Sequence, residues 1–373
     1  MNRRAFLSAS GLLFLAGCST QDTTETTTSP PTTTQSTTET PSPMTESPTP
    51  PTETETPETT AEPTTEETTT EEPDRVDRIL TLVQEDLDAA VRAFAGVAAP
   101  DGGFHDLNAA ISFPFDDVSD SLFDARGHLG TLEQFELDQA QQRRRTQLRQ
   151  AHWFLWWTGR THERLNQVLL RTNNAVSRFY DAEYGRIDTQ VAQIGDALDE
   201  ATESFDSLLD ESDASSLDAI TELTPDDYTR KVDSLEAELT QFDTFGEMLL
   251  TMRNAINRLQ RGFDEYLGSS YEDATETFFR AAVAFEDVSE ALSDLDPIVA
   301  LETPLADFVC LSDALAQGSD VLGEAATAGD LDIPERQTDK EDEARTAFES
   351  CDLVMERVPI VPAFFDELPE ERT

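Results

Sequence analysis

The stretch that decides the fold is residues 225–267, which read PDDYTRKVDSLEAELTQFDTFGEMLLTMRNAINRLQRGFDEYL. Its apolar side chains recur at alternating steps of three and four residues, which is the spacing of one face of an α-helix. They are Tyr228, Val232, Leu235, Leu239, Phe242, Leu249, Met252, Ile256, Leu259, Phe263 and Tyr266. Thr224 and Pro225 mark the start, because threonine caps helices and proline fits their first position. The pattern predicts one unbroken helix over 225–267.

The same period starts again at Val76, Val118, Leu148 and Ile187, and the run through Leu148 predicts a helix over roughly 138–183. No comparable stretch alternates apolar and polar residues with period two, so strands should be scarce. Long helices joined by short turns favour an antiparallel arrangement. We therefore expect an all-α fold, a long antiparallel helical bundle built from coiled-coil-like hairpins.

A helical hairpin is indicated over about residues 255–290, near the C-terminal third. Its small and aromatic positions are Gly262, Tyr271, Ala274, Phe278 and Ala281. They resemble those of a tetratricopeptide-type helix pair, although stable arrays of that family need about three repeats. The resemblance implies one TPR-like pair rather than a repeat protein. Ordinary helix packing with small residues at close contacts is the alternative interpretation.

The beginning of the chain carries the pattern of an export signal. Two arginines precede a short apolar stretch, which orients such a segment at a membrane. The stretch is shorter than the about 20 residues that a spanning helix needs. The motif residues are Arg3, Arg4, Phe6 and Leu7, followed by Leu15, Ala16, Gly17 and Cys18.

These residues resemble a twin-arginine export motif (residues 3–7) followed by a lipobox (residues 15–18). The resemblance implies a signal peptide over residues 1–17, cleavage before Cys18, and a lipid on that cysteine. The protein would then be held to the cell membrane by lipid, on its extracellular face. A signal that is cleaved without lipidation is the alternative.

Residues 18–73 are predicted to join the lipidated cysteine to the folded domain as a disordered stalk. Of the 55 residues in 19–73, 24 are Thr, 10 Pro, 5 Ser and 12 acidic, and none is basic. Such a segment buries too little apolar surface to offset chain entropy. The predicted organisation is therefore a signal over 1–17, a stalk over 18–73 and an acidic helical domain over 74–373.

The charge of the chain is strongly negative. With 76 acidic and 26 basic residues its formal net charge is −50, and only Lys231 and Lys340 are lysines. Such a charge disfavours a compact state, and molar salt screens it. The composition resembles that of proteins from salt-loving archaea, which implies a halophilic host. Nucleic acid is excluded as a partner at this charge.

Two cysteines remain in the domain, Cys310 and Cys351, in expected helices over 304–317 and 341–356. An even pair in an oxidising location predicts a disulfide between them. Two free buried thiols are the alternative. No metal site is expected, because no second Cys or His lies at ligand spacing.

One helix concentrates arginine and tryptophan. Within 143–186 lie Arg143, Arg144, Arg145, Arg149, Arg160, Arg164, Arg171, Arg178 and Arg186. The helical phase places Trp153, Trp156, Trp157, Arg160 and Arg164 on one side, here called the Trp/Arg face. It is interpreted either as a groove for an anionic ligand, a glycan or a partner helix, or as part of a helix buried on both sides. The second interpretation is favoured, because large exposed aromatic patches are rare.

No catalytic constellation is recognisable. His162 falls on the apolar seam, where we expect a hydrogen-bonded structural histidine, and no nucleophile–base pair, phosphate loop or cofactor motif occurs. The sequence therefore predicts a non-enzymatic, membrane-anchored surface lipoprotein without cofactor. Its helical domain would bind a protein partner or give structural support in high salt. The alternative is an extracytoplasmic solute-binding protein that captures an anionic or glycan ligand on the Trp/Arg face.

Overall fold

The structure is a computed structural model that describes residues 71–98 and 103–369. The predicted export and lipidation residues lie outside this part of the chain, as does the stalk up to residue 70. They are Arg3, Arg4, Phe6, Leu7, Leu15, Ala16, Gly17 and Cys18.

Every regular element in the described ranges is helical, which confirms the predicted all-α bundle. The α-helices are α1 Glu71–Ala98, α2 Phe115–Val118, α3 Asp120–Thr131, α4 Gln139–Tyr180, α5 Ile187–Glu211, α6 Pro225–Leu267, α7 Tyr271–Ser293, α8 Glu302–Asp330, α9 Pro334–Phe348, α10 Asp352–Arg357 and α11 Ile360–Glu367. None of them is long and apolar enough to cross a bilayer.

Successive helices pack against one another along their apolar stripes. The main pairs are α4 with α5, α6 with α7, α7 with α8, and α8 with α9, while α1 packs on α3 and α4. The two longest helices, α4 and α6, bury the seams that their sequence period predicts. One continuous apolar core therefore runs through the described part of the chain.

Three of the helices end in the same way, which lets the chain reverse direction within a few residues. Past each end, one residue other than glycine adopts a left-handed conformation with φ of 56° to 58°. The next backbone N–H then bonds to a carbonyl five residues back, which satisfies an otherwise unpaired helix carbonyl. The left-handed residues after α4, α6 and α8 are Ala182, Ser269 and Asp332.

Glycines allow aromatic rings to lie directly on helix backbones. A Cβ at Gly262 of α6 would lie 2.7 Å from the ring of Phe278 on α7. A Cβ at Gly159 of α4 would overlap the ring of Phe115. These close approaches bring neighbouring helices nearer than larger side chains would permit.

The C-terminal helices differ from the prediction. The helix expected over 304–317 begins two residues earlier and continues to Asp330, because Gly318 and Gly323 admit the rings of Phe348 and Phe279. That burial outweighs the low helix propensity of glycine. The single helix expected over 341–356 is instead α9 and α10, separated at residues 349–351.

Cys310 and Cys351 form a disulfide with their Cα atoms 5.8 Å apart. It joins the first third of α8 to the residue that precedes α10. Cys351 has an extended backbone at that point, which interrupts the predicted helix and turns the buried Val354 toward the core.

Candidate functional site

The tryptophans of the Trp/Arg face are half-buried on α4. Trp156 packs edge-on against Phe115 and Phe123, with ring centroids 5.1 and 5.4 Å apart. Trp153 stacks on Trp157, with centroids 6.2 Å apart and planes inclined by 23°. Neighbouring aromatic rings therefore cover much of this face.

The arginines of the face are already engaged. The Arg160 guanidinium lies 4.3 Å from the centre of the Phe115 ring and donates to Glu163 at 2.7 Å. Arg164 forms an ion pair with Glu200 of α5. Carboxylates and aromatic rings of the bundle therefore already contact the guanidinium groups that an anionic ligand would need.

The Trp157 indole N–H also has a partner, since it donates to Glu211 at the end of α5 across 3.2 Å. The face holds the five predicted residues together on one side of α4. Their contacts are those of a central packed helix, and an open aromatic and arginine groove does not form among the described residues.

A second polar cluster lies inside the bundle, where α4 and α6 meet segment 103–114. Lys231 and Glu238 of α6 are 1 % and 2 % exposed. Lys231 donates to the carbonyl of Leu107, and Glu238 accepts the backbone N–H of Ala109 at 2.8 Å. Two oppositely charged side chains of α6 therefore bond to the backbone of the segment, at Leu107 and at Ala109.

Burial controls the titration of this pair. It lowers the pKa of Lys231 and raises the pKa of Glu238, because both charged forms are removed from water. Each charge opposes the shift of the other by favouring the ionised form of its neighbour. The two side chains form no direct ion pair, so each charge only partly offsets the cost of burying the other.

His162 of α4 faces the same region and corrects a prediction. It is fully buried, but neither ring nitrogen has a hydrogen-bond partner, whereas the sequence predicted a hydrogen-bonded histidine. Burial, with a further contribution from Lys231, holds the pKa of His162 well below its usual value. The ring is therefore neutral and packs as a nearly apolar group, 6.0 Å from the Phe113 ring.

Asn166 of α4 completes the attachment of the segment. Its amide donates to the carbonyls of Ala109 and Ile111, and its oxygen accepts the N–H of Phe113, each at 2.8 Å. Side chains of two helices thus satisfy the backbone of a loop whose only regular structure is the short 3-10 turn Phe104–Asp106. The cluster therefore has a structural role, which is to hold the segment against α4 and α6.

The cluster was not predicted from the sequence, although one signal was present. Lys231 is one of only two lysines and lies next to Val232, on the apolar seam of the decisive helix. No group of three or more His, Cys, Asp or Glu side chains in the described ranges could hold a metal ion.

An open groove of about 550 Å³ runs between α6 and α7. Its lining residues are Arg258, Arg261, Glu276, Phe279, Arg280, Val283, Ala284 and Asp287. We call it the arginine groove. The sequence analysis missed it as well, because which sides of α6 and α7 stay uncovered depends on how the two helices pack.

No protein-family model, curated protein or solved structure matches this chain. The interpretation of the grooves and clusters therefore depends on their chemistry alone.

Proposed function

We propose that this protein is a membrane-anchored surface lipoprotein whose helical domain binds a partner protein and catalyses no reaction. The observation that carries the proposal is the arginine groove. There, exposed arginines and exposed apolar side chains lie together on a domain that is otherwise strongly acidic. Interfaces typically combine arginine with aromatic and aliphatic side chains in this way.

Solute capture on the Trp/Arg face has less support. Arg160 and Arg164 are paired with Glu163 and Glu200, and Trp156 is packed between rings. A solute would have to displace both the Phe115 ring and Glu163 to reach Arg160, whereas at Arg164 it would compete with an exposed ion pair.

The anchor is proposed from the first 18 residues alone. A Cys18→Ala variant should leave the membrane fraction, and an Arg3→Lys/Arg4→Lys variant should stay in the cytosol with its first 17 residues. Ser19→Ala, which changes the neighbouring residue, should remain on the membrane. Immunoblots of cytosol, membrane and medium measure this. Wild-type protein found in the cytosol with its leader intact would exclude the proposal.

Partner binding is tested on intact cells with a photoreactive phenylalanine analogue. It replaces Leu82, Leu209 or Val283, which are 38 %, 43 % and 56 % exposed and lie on α1, α5 and α7. We expect a discrete cross-linked product from Val283, which lines the arginine groove, and none from the other two positions. If all three positions are silent, the domain has no close protein partner and the proposed function is wrong.

A further inference from the structure

We infer that the arginine groove binds a short, extended acidic segment of the partner, and that this segment carries an apolar side chain. The inference rests on the proposed partner-binding function and specifies the chemistry of the partner. It follows from the charge, the apolar wall and the length of the groove.

The charge of the groove is opposite to that of the molecule around it. Three arginines, Arg258, Arg261 and Arg280, outnumber the two acids that line the same concave surface, whereas the whole chain has 76 acidic residues against 26 basic ones. A local positive site of this kind attracts a carboxylate-rich group at contact distance, where molar salt screens least.

Two of the guanidinium groups are available to a ligand. Arg258 and Arg261 are exposed, and neither forms an ion pair or a hydrogen bond with another described residue. They lie three residues apart on α6, which places their Cβ atoms about 5–6 Å from each other. Each planar guanidinium can bind a carboxylate through two parallel hydrogen bonds.

The third arginine is held only by a neighbour on its own helix. Arg280 pairs with Glu276 four residues earlier, and both side chains are more than half exposed. Ion pairs of this kind are weak, so an incoming carboxylate can compete for Arg280. Arg258 and Arg261 on α6 and Arg280 on α7 thus provide hydrogen-bond donors on both sides of a bound peptide.

An apolar wall separates the charges. Phe279 and Val283 lie one turn apart on α7 and are 37 % and 56 % exposed. The Phe279 ring is fixed from behind, because it lies 2.8 Å from where a Cβ of Gly323 would be. Its outer surface and Val283 therefore form a rigid apolar strip, which an apolar side chain of the ligand would cover.

The length of the groove limits the ligand. The wall on α7 extends from Glu276 to Asp287, which is about 17 Å at 1.5 Å per residue. An extended peptide of about five residues spans that distance. Acids stand at both ends of the wall, so a chain that runs past Glu276 or Asp287 would meet repulsion there, whereas one that ends between them would meet the arginines. A short acidic segment with one apolar residue fits these constraints.

The test uses the full chain, purified in non-ionic detergent and molar salt. The probe is a fluorescein-labelled pool of pentapeptides with Phe, Leu or Ile in the centre and Asp or Glu at the other four positions. We expect saturable binding by fluorescence anisotropy. Arg258→Gln/Arg261→Gln should weaken it by about tenfold or more, since two charge-assisted contacts are lost. Val283→Asp should weaken it comparably.

The matched control is Arg143→Gln/Arg149→Gln, which removes two other exposed arginines without a described ion-pair partner, both on α4. It should leave binding within about twofold of wild type, because only the net charge changes. Circular dichroism in the same buffer verifies that each variant is folded.

Absence of saturable binding, or equal losses in the control and in the groove variant, would overturn the inference. Tighter binding to phosphatidylglycerol vesicles or to oligothymidylate, lost in the groove variant, would also overturn it in favour of another anion. Dimerisation detected by light scattering and abolished by Val283→Asp would identify a second copy as the occupant instead. A cross-linked partner at Val283 together with no peptide binding would leave the proposed function intact and refute only this inference.

Discussion

Glu238 accepts a hydrogen bond from the backbone N–H of Ala109, 2.8 Å away and 129 residues earlier in the chain. Seven residues before it on α6, Lys231 donates to the carbonyl of Leu107. The position of segment 103–114 therefore depends on a buried pair of opposite charges.

Removing one member of this pair should be costly. Lys231→Met removes the donor to the Leu107 carbonyl and the positive charge near Glu238, and it should lower the free energy of unfolding by about 1–3 kcal/mol. Adding Glu238→Gln keeps an acceptor for the Ala109 N–H and should recover part of that loss, since no charge remains. Urea denaturation in molar salt measures both.

The only other lysine is the control. Lys340 pairs with Glu324 and Glu343 near the surface, so Lys340→Met should cause a much smaller loss. Losses that simply add in the Lys231/Glu238 double variant would contradict the coupling.

A methyl group added at Gly159 should destabilise the bundle. The new Cβ would overlap the buried Phe115 ring and lie 3.1 Å from Phe94, so Gly159→Ala should cost about 1–3 kcal/mol. Gly195→Ala on α5 has no heavy atom within 4 Å of its new Cβ and should instead gain up to about 1 kcal/mol. Thermal unfolding compares the two variants. Stabilisation of both would show that the Phe115 ring is free to move aside.

The disulfide should contribute directly to stability. It closes a loop between positions 41 residues apart, which typically stabilises a fold by about 2–4 kcal/mol. Cys310→Ser/Cys351→Ser should lose that amount in denaturant unfolding. Reductant should shift the wild-type midpoint and leave that of the double variant unchanged. A wild-type midpoint that does not change with reductant would argue that Cys310 and Cys351 are not bonded to each other.

Acid should weaken the fold through His152. Burial is the main reason that the pKa of His152 falls to about 4, below the unfolded value near 6.5, and nearby Arg126 adds to the effect. Between those values the unfolded chain binds more protons, so stability decreases as the pH falls from 6.5 toward 4.

His152→Gln should therefore reduce the slope of unfolding free energy against pH, by up to about 1.4 kcal/mol per pH unit. Denaturation curves from pH 5 to 8 measure the slope. Above pH 7 the difference between the variant and wild type should be constant, because the histidine is neutral in both states. If the free energies of unfolding of wild type and variant run parallel from pH 5 to 8, His152 does not cause the acid sensitivity.

Salt should be required for the helical fold. With a net charge of −50 the chain repels itself, and molar salt shortens the screening length to about 3 Å. Dialysis to millimolar salt should reduce helicity by circular dichroism, and sucrose at equal osmolality should not restore it. An unchanged spectrum at low salt would contradict the halophilic interpretation.

The helices were predictable where their signals are local. The run over 225–267 has its cap at Thr224, a first-turn proline and an apolar period, and α6 has those bounds. The second half of α8 was not predictable, because Gly318 and Gly323 lower helix propensity and only contacts with Phe348 and Phe279 compensate. Likewise, the break at Cys351 depends on a bond to a residue 41 positions away.

The candidate sites likewise combine features that the sequence predicts with features that depend on packing. The Trp/Arg face follows from helical phase, so its five residues were placed together correctly on α4. Whether Arg160 and Arg164 are free depends on Glu163, Phe115 and Glu200, and two of these lie on other helices. Whether an arginine is free to bind a ligand is thus determined by how the helices pack.

The sequence by itself determined the helix period, the excess of acidic charge and the location of the two lysines, because each is local or compositional. Tertiary structure alone decided that Lys231 and Glu238 lie inside, that the buried His162 has no hydrogen-bond partner, and that Arg258 and Arg261 border an open groove. The physical reason is that burial and pairing depend on the rotation and spacing of neighbouring helices. Those are set by contacts between residues that lie far apart in the chain.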